Sequence, residues 1–533
     1  MNQAYPDISK MKDLRVALAC PPMLVAVDSW KYAPYHKWKF NFSHDNYGYS
    51  GSNLGIAYIA SELRKHGVRV LLTDGYLQDL DYDEQAKLIN NFKPHLIGIT
   101  VMSNVNIGDA KGLAYAIQNL RCNAPIILGG HYPSVNPQRL FEEVPQAIAI
   151  GCSDGEWIMK EICKAICDRR PLDEIPYLIL RNNTNNCIRK QELPSLDSYG
   201  SPSRDTLEEE VKLGFVPGIS SSRGCSNRCL FCAPTLYQKM FSIDHWRSRS
   251  PENVVHEIEG LINNEFVKRY KYVDLNFLNG KAGQKRAKEI AVILNQRNIR
   301  IPFMFDARVD CLNYNVLDSL KKVGLWGVYL GIESCSQDQL NRFGKMTTVN
   351  QNDKAIFLIK KLNLNLLPGT ITFDPWATPE EIYSSIRYLH QIGGFNIYRF
   401  ARGIIPREKT VIFEKYKQEG ALITTEWDYT IRCFNKDVQR FFEVIQYLAE
   451  QSFLLERDLH KQVTYKYSIT DLPDKYRRIF KEMEEKLKKT LYLMTKDCAD
   501  CVLNNRPFTK SNFETVLKDV RNLFISQLGA MNI

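Results

Sequence analysis

The stretch "RGCSNRCLFC" (Arg223–Cys232) places three cysteines within eight residues, at the spacing Cys-x3-Cys-x2-Cys. A closed structural zinc site takes four ligands, commonly from two paired knuckles. A four-iron cubane held by three cysteines would instead leave one iron open to a further ligand. The surroundings weigh on the choice. A short apolar strand is read at Phe215–Ser221, directly before the triplet. A helix is read at Pro251–Asn263, after "WRSRSPE", with proline at its first turn. Further strands are read at Tyr270–Phe277, Pro302–Arg308, Trp326–Gly331, Asn365–Phe373 and Asn396–Phe400, with helical patterns between, such as Gly283–Gln296. Six such units predict a partial (β/α)6 barrel over residues 207–410. Its functional face is at the carboxyl ends of the strands, where the triplet falls.

Upstream, the pattern alternates in the same way. Apolar strands are read at Leu14–Cys20, "VRVLLTD", His95–Val101, Ala124–Gly130 and Ala147–Gly151, and a helix at Gly55–Gly67 ends on a glycine. Buried-type strands separated by helices predict an α/β, doubly wound, Rossmann-like domain over residues 1–170. Ligands of such sheets lie outside the carboxyl ends, which here read "CPP", "TVMSNV", "GGHYPS" and "GCSDGEW". No G-x-G-x-x-G follows the first strand, which argues against a nucleotide. Residues 171–206 are polar and read as a linker. Residues 411–533 read as a mainly helical domain, with long amphipathic stretches at 435–459 and 473–495.

The 533 residues suit several domains with a large core; apolar content is 44% and charged content 24%, as in ordinary globular chains. Lys and Arg exceed Asp and Glu by only 70 − 60 = 10, and no basic stripe is interleaved with aromatics, so no nucleic-acid partner is expected. The N-terminus lacks a signal-peptide layout and no window reaches a membrane span, so a cytoplasmic protein without a membrane partner is expected. Fourteen cysteines then point to metal binding and buried thiols rather than a disulfide framework. The pair Cys498 and Cys501 reads as thiols, with an auxiliary metal site as the alternative.

The triplet, with Phe231 before its last cysteine and its place opening a βα series, resembles the radical S-adenosylmethionine enzymes. The resemblance implies a [4Fe-4S] cluster on Cys225, Cys229 and Cys232 whose open iron chelates S-adenosylmethionine. One electron, from an external donor such as flavodoxin or ferredoxin, then yields a 5′-deoxyadenosyl radical. It also implies cosubstrate contacts. Asp274 and Asn276 of "VDLNFLNG" would accept from the amino group, Arg308 of "FDARVD" would pair with the carboxylate, and Glu333 of "LGIES" would approach the cosubstrate. "GTITFDPWATPEEI" (Gly369–Ile382) resembles the strand of adenine contacts. Arg247 and Arg249 are candidates to touch the cluster loop or the second cofactor.

The sheet domain resembles the cobalamin-binding domain fused to many of these enzymes, so the likeness covers roughly residues 14–410. It implies cobalamin contacts from Ser103, Asn104, Gly129, Gly130, His131, Gly151, Ser153 and Glu156. The cobalt-ligating Asp-x-His-x-x-Gly of cobalamin mutases and methionine-synthase-type domains is missing from the sheet domain, as is common in the radical subgroup; Asp458-Leu459-His460 lies in the helical region without the glycine. Cobalamin with its base off and no histidine lower ligand is therefore expected. The aromatic segment Met23–Gly55, with Tyr35 and Trp38, is expected to cover the upper face of cobalt. Together the two cofactors imply methylation of an unactivated carbon on a small metabolite or peptide. The alternatives are a non-methylating relative (ring contraction, cyclisation or oxidation) and a cobalamin-binding regulator with an inert barrel.

Overall fold

The computed structural model describes residues 9–24, 53–183, 191–213, 215–234, 246–464 and 474–504, with a few further single positions and short helical pieces. The aromatic residues Trp30 to Tyr49 lie outside the described residues.

The N-terminal sheet has six strands: β1 (Arg15–Cys20), β2 (Arg69–Asp74), β3 (Leu96–Thr100), β4 (Ile126–Gly129), β5 (Ala147–Gly151) and β6 (Leu178–Leu180). Their order is β2-β1-β3-β4-β5-β6, parallel throughout except for β6. All five strands expected from sequence are present. β6 comes from the segment expected to be linker; the chain returns through the helix Gly155–Asp168, and β6 pairs antiparallel along the β5 edge. β1 and β3 are buried along nearly their whole length, as strands covered by helices on both faces must be. The helix Leu54–Lys65 stops at His66, with Gly67 at φ +84 just beyond.

The second sheet has β7 (Gly218–Ile219), β10 (Tyr270–Tyr272), β11 (Phe303–Arg308), β12 (Leu325–Glu333) and β13 (Asn365–Thr370), in the order β13-β12-β11-β10-β7, all parallel. Between β7 and β10 a small antiparallel ribbon pairs β8 (Ser222–Gly224) with β9 (Trp246–Ser248). The sixth expected strand does not form. Asn396 caps a short helix, Ile397–Phe400, by accepting from the Arg399 amide, and a parallel bridge between Phe373 and Gly403 stands in the sixth position. The barrel is therefore a five-stranded arc. Phe303, Phe305 and Ala307 of β11 pack outward into the helical layer. Met304, Asp306 and Arg308 alternate with them and face the lumen. Thr378 and Glu381 form a capping box with Pro379 at the first turn, which starts the helix Pro379–Gln391.

The C-terminal region holds a hairpin, β14 (Leu422–Thr424) with β15 (Tyr429–Ile431), and the long helices Lys436–Thr464 and Asp474–Val502. Its core is continuous with the last part of the barrel: Phe373 and Phe400 pack with Phe441, Phe442 and Leu491. Cys498 is buried there, and burial pushes its thiol up. No three His, Cys, Asp or Glu side chains among the described residues gather for an ion, so Cys498 and Cys501 find no further ligand. Among the described residues no helix is long and apolar enough to cross a membrane.

Candidate functional site

The triplet loop leaves β8 and returns through β9, so the ribbon closes its base. Three contacts fix its course. The Ser226 amide donates to Asn279 Oδ1 at 3.1 Å, and Asn279 Nδ2 donates to Ser226 Oγ at 2.8 Å. The Leu230 amide donates to the Phe343 carbonyl at 3.0 Å, and Phe231 meets the Phe343 ring edge-on at 5.9 Å. Gly344, at φ +56, leaves room for Leu230, which a Cβ there would meet at 2.5 Å. Cys225, Cys229 and Cys232 are all half-buried. Burial raises the Cys229 thiol, and the cations Lys345 and Arg308 pull it back; Arg308 Nη1 lies 3.2 Å from its sulfur. Two cations facing a half-buried thiol suit a thiolate ligand.

The expected cosubstrate residues divide. Phe231, Arg308 and Glu333 come to the mouth beside the triplet. Asp274 does not remain available. Its carboxylate takes four donors, the Ser221 amide on Oδ1 and the hydroxyls of Ser221 and Ser222 with Arg286 Nη2 on Oδ2. It braces β7 to the end of β10. Asn276 is also turned inward, accepting from the Arg308 amide at 3.3 Å and donating towards Cys311 Sγ at 3.4 Å. The Arg308 fork is filled by Asp310, at 2.9 and 3.0 Å, so bidentate pairing with a cosubstrate carboxylate would require displacing that partner. Burial acts against the Arg308 charge, but Asp310 more than offsets it and raises its pKa. Glu333 sits at φ +60, in the left-handed region, where the β12–β13 register shifts. Its carboxylate pairs with buried Lys345 at 2.6 Å. Backbone strain of this kind concentrates at functional sites. Asn279 and Lys345 were not legible as site residues, although Asn279 lies within the quoted "VDLNFLNG".

On the sheet domain, the ends of β3, β4 and β5 form a cradle. A Cβ on Gly129 would meet nothing within 4 Å, so the space beside it is open. Gly130, at φ +106, must be glycine, since a Cβ would meet the Val101 carbonyl oxygen at 2.5 Å. His131 is solvent-accessible, yet enclosure and Arg223 lower its pKa, the mark of a side chain facing a chamber rather than bulk water. Gly151 and Ser153 line the end of β5. The Ser153 hydroxyl oxygen is buried without a hydrogen-bond partner among the described residues, as expected where a bound group supplies one. Ser103 is turned to Asn106 at 2.9 Å. Asn104 serves the hairpin instead, donating to the Trp427 carbonyl at 2.6 Å and to Asp428 at 3.0 Å.

Glu156 is also committed elsewhere. Arg223, two residues before the first cysteine, pairs with both Glu156 and Asp154. Arg247 binds the two Asp154 oxygens at 2.7 and 2.9 Å, whereas Arg249 is buried against Glu257, Tyr58 and Asn253. Burial would raise Asp154, but Arg223 and Arg247 hold it below the usual carboxylate range. A second seam gathers Tyr132, Asn136, Arg139 and Tyr429 on Glu408. Loops after β3, β4 and β5 thus meet the barrel mouth and the hairpin. The carboxyl-end loops of the first sheet are joined by side-chain contacts to the strands that flank the triplet loop, to the segment before the hairpin and to its turn.

The structure thus joins an open strand-end cradle to the strand that precedes a three-thiol loop. The comparisons agree. Residues 44–162 match the B12 binding domain family and residues 219–397 the radical SAM superfamily. An uncharacterised methyltransferase of Pyrococcus horikoshii is 31% identical over 386 residues, covering 71% of this chain and 82% of that one. The 4′-phospho-dehydrooxetanocin synthase of Priestia megaterium is 28% identical, covering 62% of this chain and 47% of its own. An anaerobic magnesium-protoporphyrin IX monomethyl ester cyclase of Rubrivivax gelatinosus is 26% identical, covering 60% of each chain. The fold is that of the cobalamin-dependent enzyme OxsB, solved with aqua-cobalamin and S-adenosylmethionine bound (TM-score 0.73, 17% identity, 97% of this chain and 80% of that one). The methyltransferase TsrM of Kitasatospora setae aligns with a TM-score of 0.59 and 18% identity over 77% of each chain. The chain belongs to the cobalamin-dependent radical S-adenosylmethionine enzymes, whose cofactors are a [4Fe-4S] cluster, S-adenosylmethionine and cobalamin.

Ser153→Ala is expected to weaken cobalamin retention about fivefold, the worth of one hydrogen bond, without altering the fold. Bound cobalamin after gel filtration measures it; retention equal to the parent chain would remove Ser153 from the cradle.

Proposed function

We propose that the protein is a methyltransferase that places a methyl group on an unactivated carbon of a small metabolite or peptide. The observation that carries this reading is the junction at Arg223, which joins the triplet loop to the β3–β5 cradle. Bound together, the cluster supplies a 5′-deoxyadenosyl radical from S-adenosylmethionine, and cobalamin supplies a methyl group for a carbon radical. The chain's own residues do the positioning. Cys225, Cys229 and Cys232 hold the cluster. Arg308 and Lys345 keep positive charge at the Cys229 sulfur and at Glu333. Arg223 and Arg247 fix the loop after β5 against the barrel mouth, so the distance between the two cofactor sites is set by buried ion pairs rather than by a flexible link. Enclosure excludes water from a reactive carbon radical.

The methyltransferase relative in Pyrococcus horikoshii supports methylation, while the cyclase relative keeps the non-methylating outcome as the second reading. Trideuteromethyl S-adenosylmethionine separates them. The labelled methyl is expected to appear in the product with all three deuteriums by mass spectrometry, since no C–H bond of the methyl breaks on the way from sulfur through cobalt to carbon; a product without the label establishes the second reading.

A further inference from the structure

Below the mouth, the lumen carries charge that the reading above does not use. Lys271 of β10 and Asp306 of β11 pair at 3.0 Å. Tyr329 of β12 is in register with Asp306 and shares its face. Lys271 Nζ lies 5.9 Å from the Tyr329 ring centre, and the Arg399 guanidinium lies 5.7 Å from it. Arg399 reaches this place because Asn396–Phe400 folds as a capped helical turn instead of a sixth strand. Its guanidinium has no hydrogen-bond or ion-pair partner among the described residues, only the tyrosine face and the field of Asp306. Lys271 and Arg399 both act on Asp306, and Asp274 opposes them from further off. An uncompensated cation in an enclosed space is costly unless an anion joins it.

The layer opens onto space. The Asp306 side chain keeps 31% of its surface accessible on the lumen face of β11, so the layer can be reached from the lumen. Arg308 lies two residues further along β11, in register with Gly331, and reaches Cys229. Two residues of strand rise about 7 Å. An anion on this floor would thus leave the rest of a small molecule extending towards the cluster end of the lumen.

We propose that Lys271 and Arg399, framed by Asp306 and Tyr329, form an anion subsite on the floor of the barrel that receives a carboxylate or phosphate group of the substrate. The planar fork of Arg399 suits either group, and Lys271 adds a point charge. Asp306 holds Lys271 in place in the empty site and opposes the anion when it arrives. The proposal rests on the reading that the substrate enters this lumen, and it names the substrate's chemical class.

The test is calorimetric titration of inorganic phosphate, and separately of propanoate, into the full chain loaded with cluster and cobalamin. S-adenosylmethionine is present to fill its own carboxylate site, and no reductant is added, so nothing turns over. Saturable binding of at least one anion is expected, and the tighter of the two identifies the group. Arg399→Gln is expected to weaken that binding at least about tenfold, the loss of a charge-assisted pair, while Arg399→Lys weakens it less. Asp306→Asn is expected to tighten binding, a change of sign that a merely structural residue would not give. Absence of saturable binding to the parent chain, Arg399→Gln binding like the parent, or weaker binding by Asp306→Asn would each overturn the proposal. If Arg399→Gln fails to fold, the sign of the Asp306→Asn effect still decides it. No methyl transfer is read, so a negative result here leaves the labelled-methyl experiment to judge the methyltransferase reading by itself.

Discussion

Cys229→Ala is expected to abolish cleavage of S-adenosylmethionine and to remove the visible absorption of the reconstituted cluster. Cys229 lies among charged side chains. Its sulfur faces Arg308 at 3.2 Å, and Lys345 and Arg308 both act on its charge. Without the thiolate a four-iron cluster keeps two protein ligands, and the two cations face an empty position. The backbone contacts of the loop, through Ser226, Leu230 and Phe231, do not involve the Cys229 side chain, so the fold is expected to persist. Arg308→Gln should be milder, a loss of about 10–100-fold, as for residues that support metal ligands. Parallel measurement of iron content, circular dichroism and 5′-deoxyadenosine formation checks both. A Cys229→Ala protein that retains its iron and forms 5′-deoxyadenosine at the parent rate would remove Cys229 from the site.

Arg223→Met is expected to separate the cradle from the triplet loop. Asp154 and Glu156 are 7% and 2% exposed, and Arg223 binds both. Arg247 continues to serve Asp154, but Glu156 loses the partner that neutralises it. Stranding a buried carboxylate costs about 3–5 kcal/mol, most of it the penalty of an unpaired charge. The same residue stacks near the rings of Tyr58 and Tyr199, at 5.5 and 5.7 Å, so packing is lost as well. The expected result is a lowered melting temperature and faster loss of cobalamin, with iron content retained. Adding Glu156→Gln should recover part of the stability, because removing both partners is less damaging than removing one. A single variant as stable and as cobalamin-retentive as the parent would contradict the role given to Arg223.

The sequence made the scaffold legible because its signals are local. Runs such as "LRVALAC" are apolar on both faces, the strand ends are marked by small residues, and Thr378-Pro379 announces a helix start. The expected sixth strand carries a contrary local signal: Asn396 caps a helical turn, although "NIYRF" also alternates like a strand. What stayed hidden is pairing over distance. Asp274 and Arg308 do stand at strand ends, yet Ser221, Ser222 and Arg286 claim the first, and Asp310 claims the second. Arg223 lay within the very stretch that decided the fold. Its partners are 67 and 69 residues away, and no spacing rule links them. Lys345 follows a glycine that ends a helix turn, a position that in sequence reads as solvated.

The central claim is that one chamber serves both cofactors in a single turnover. The most direct measurement is the ratio of the two products of S-adenosylmethionine in anaerobic reactions of the chain reconstituted with iron, sulfide and cobalamin. Substrates would be those that carry an anionic group and an unactivated carbon. One S-adenosylhomocysteine and one 5′-deoxyadenosine for each methylated product is the expected result. Sustained product formation with 5′-deoxyadenosine but no S-adenosylhomocysteine would contradict it.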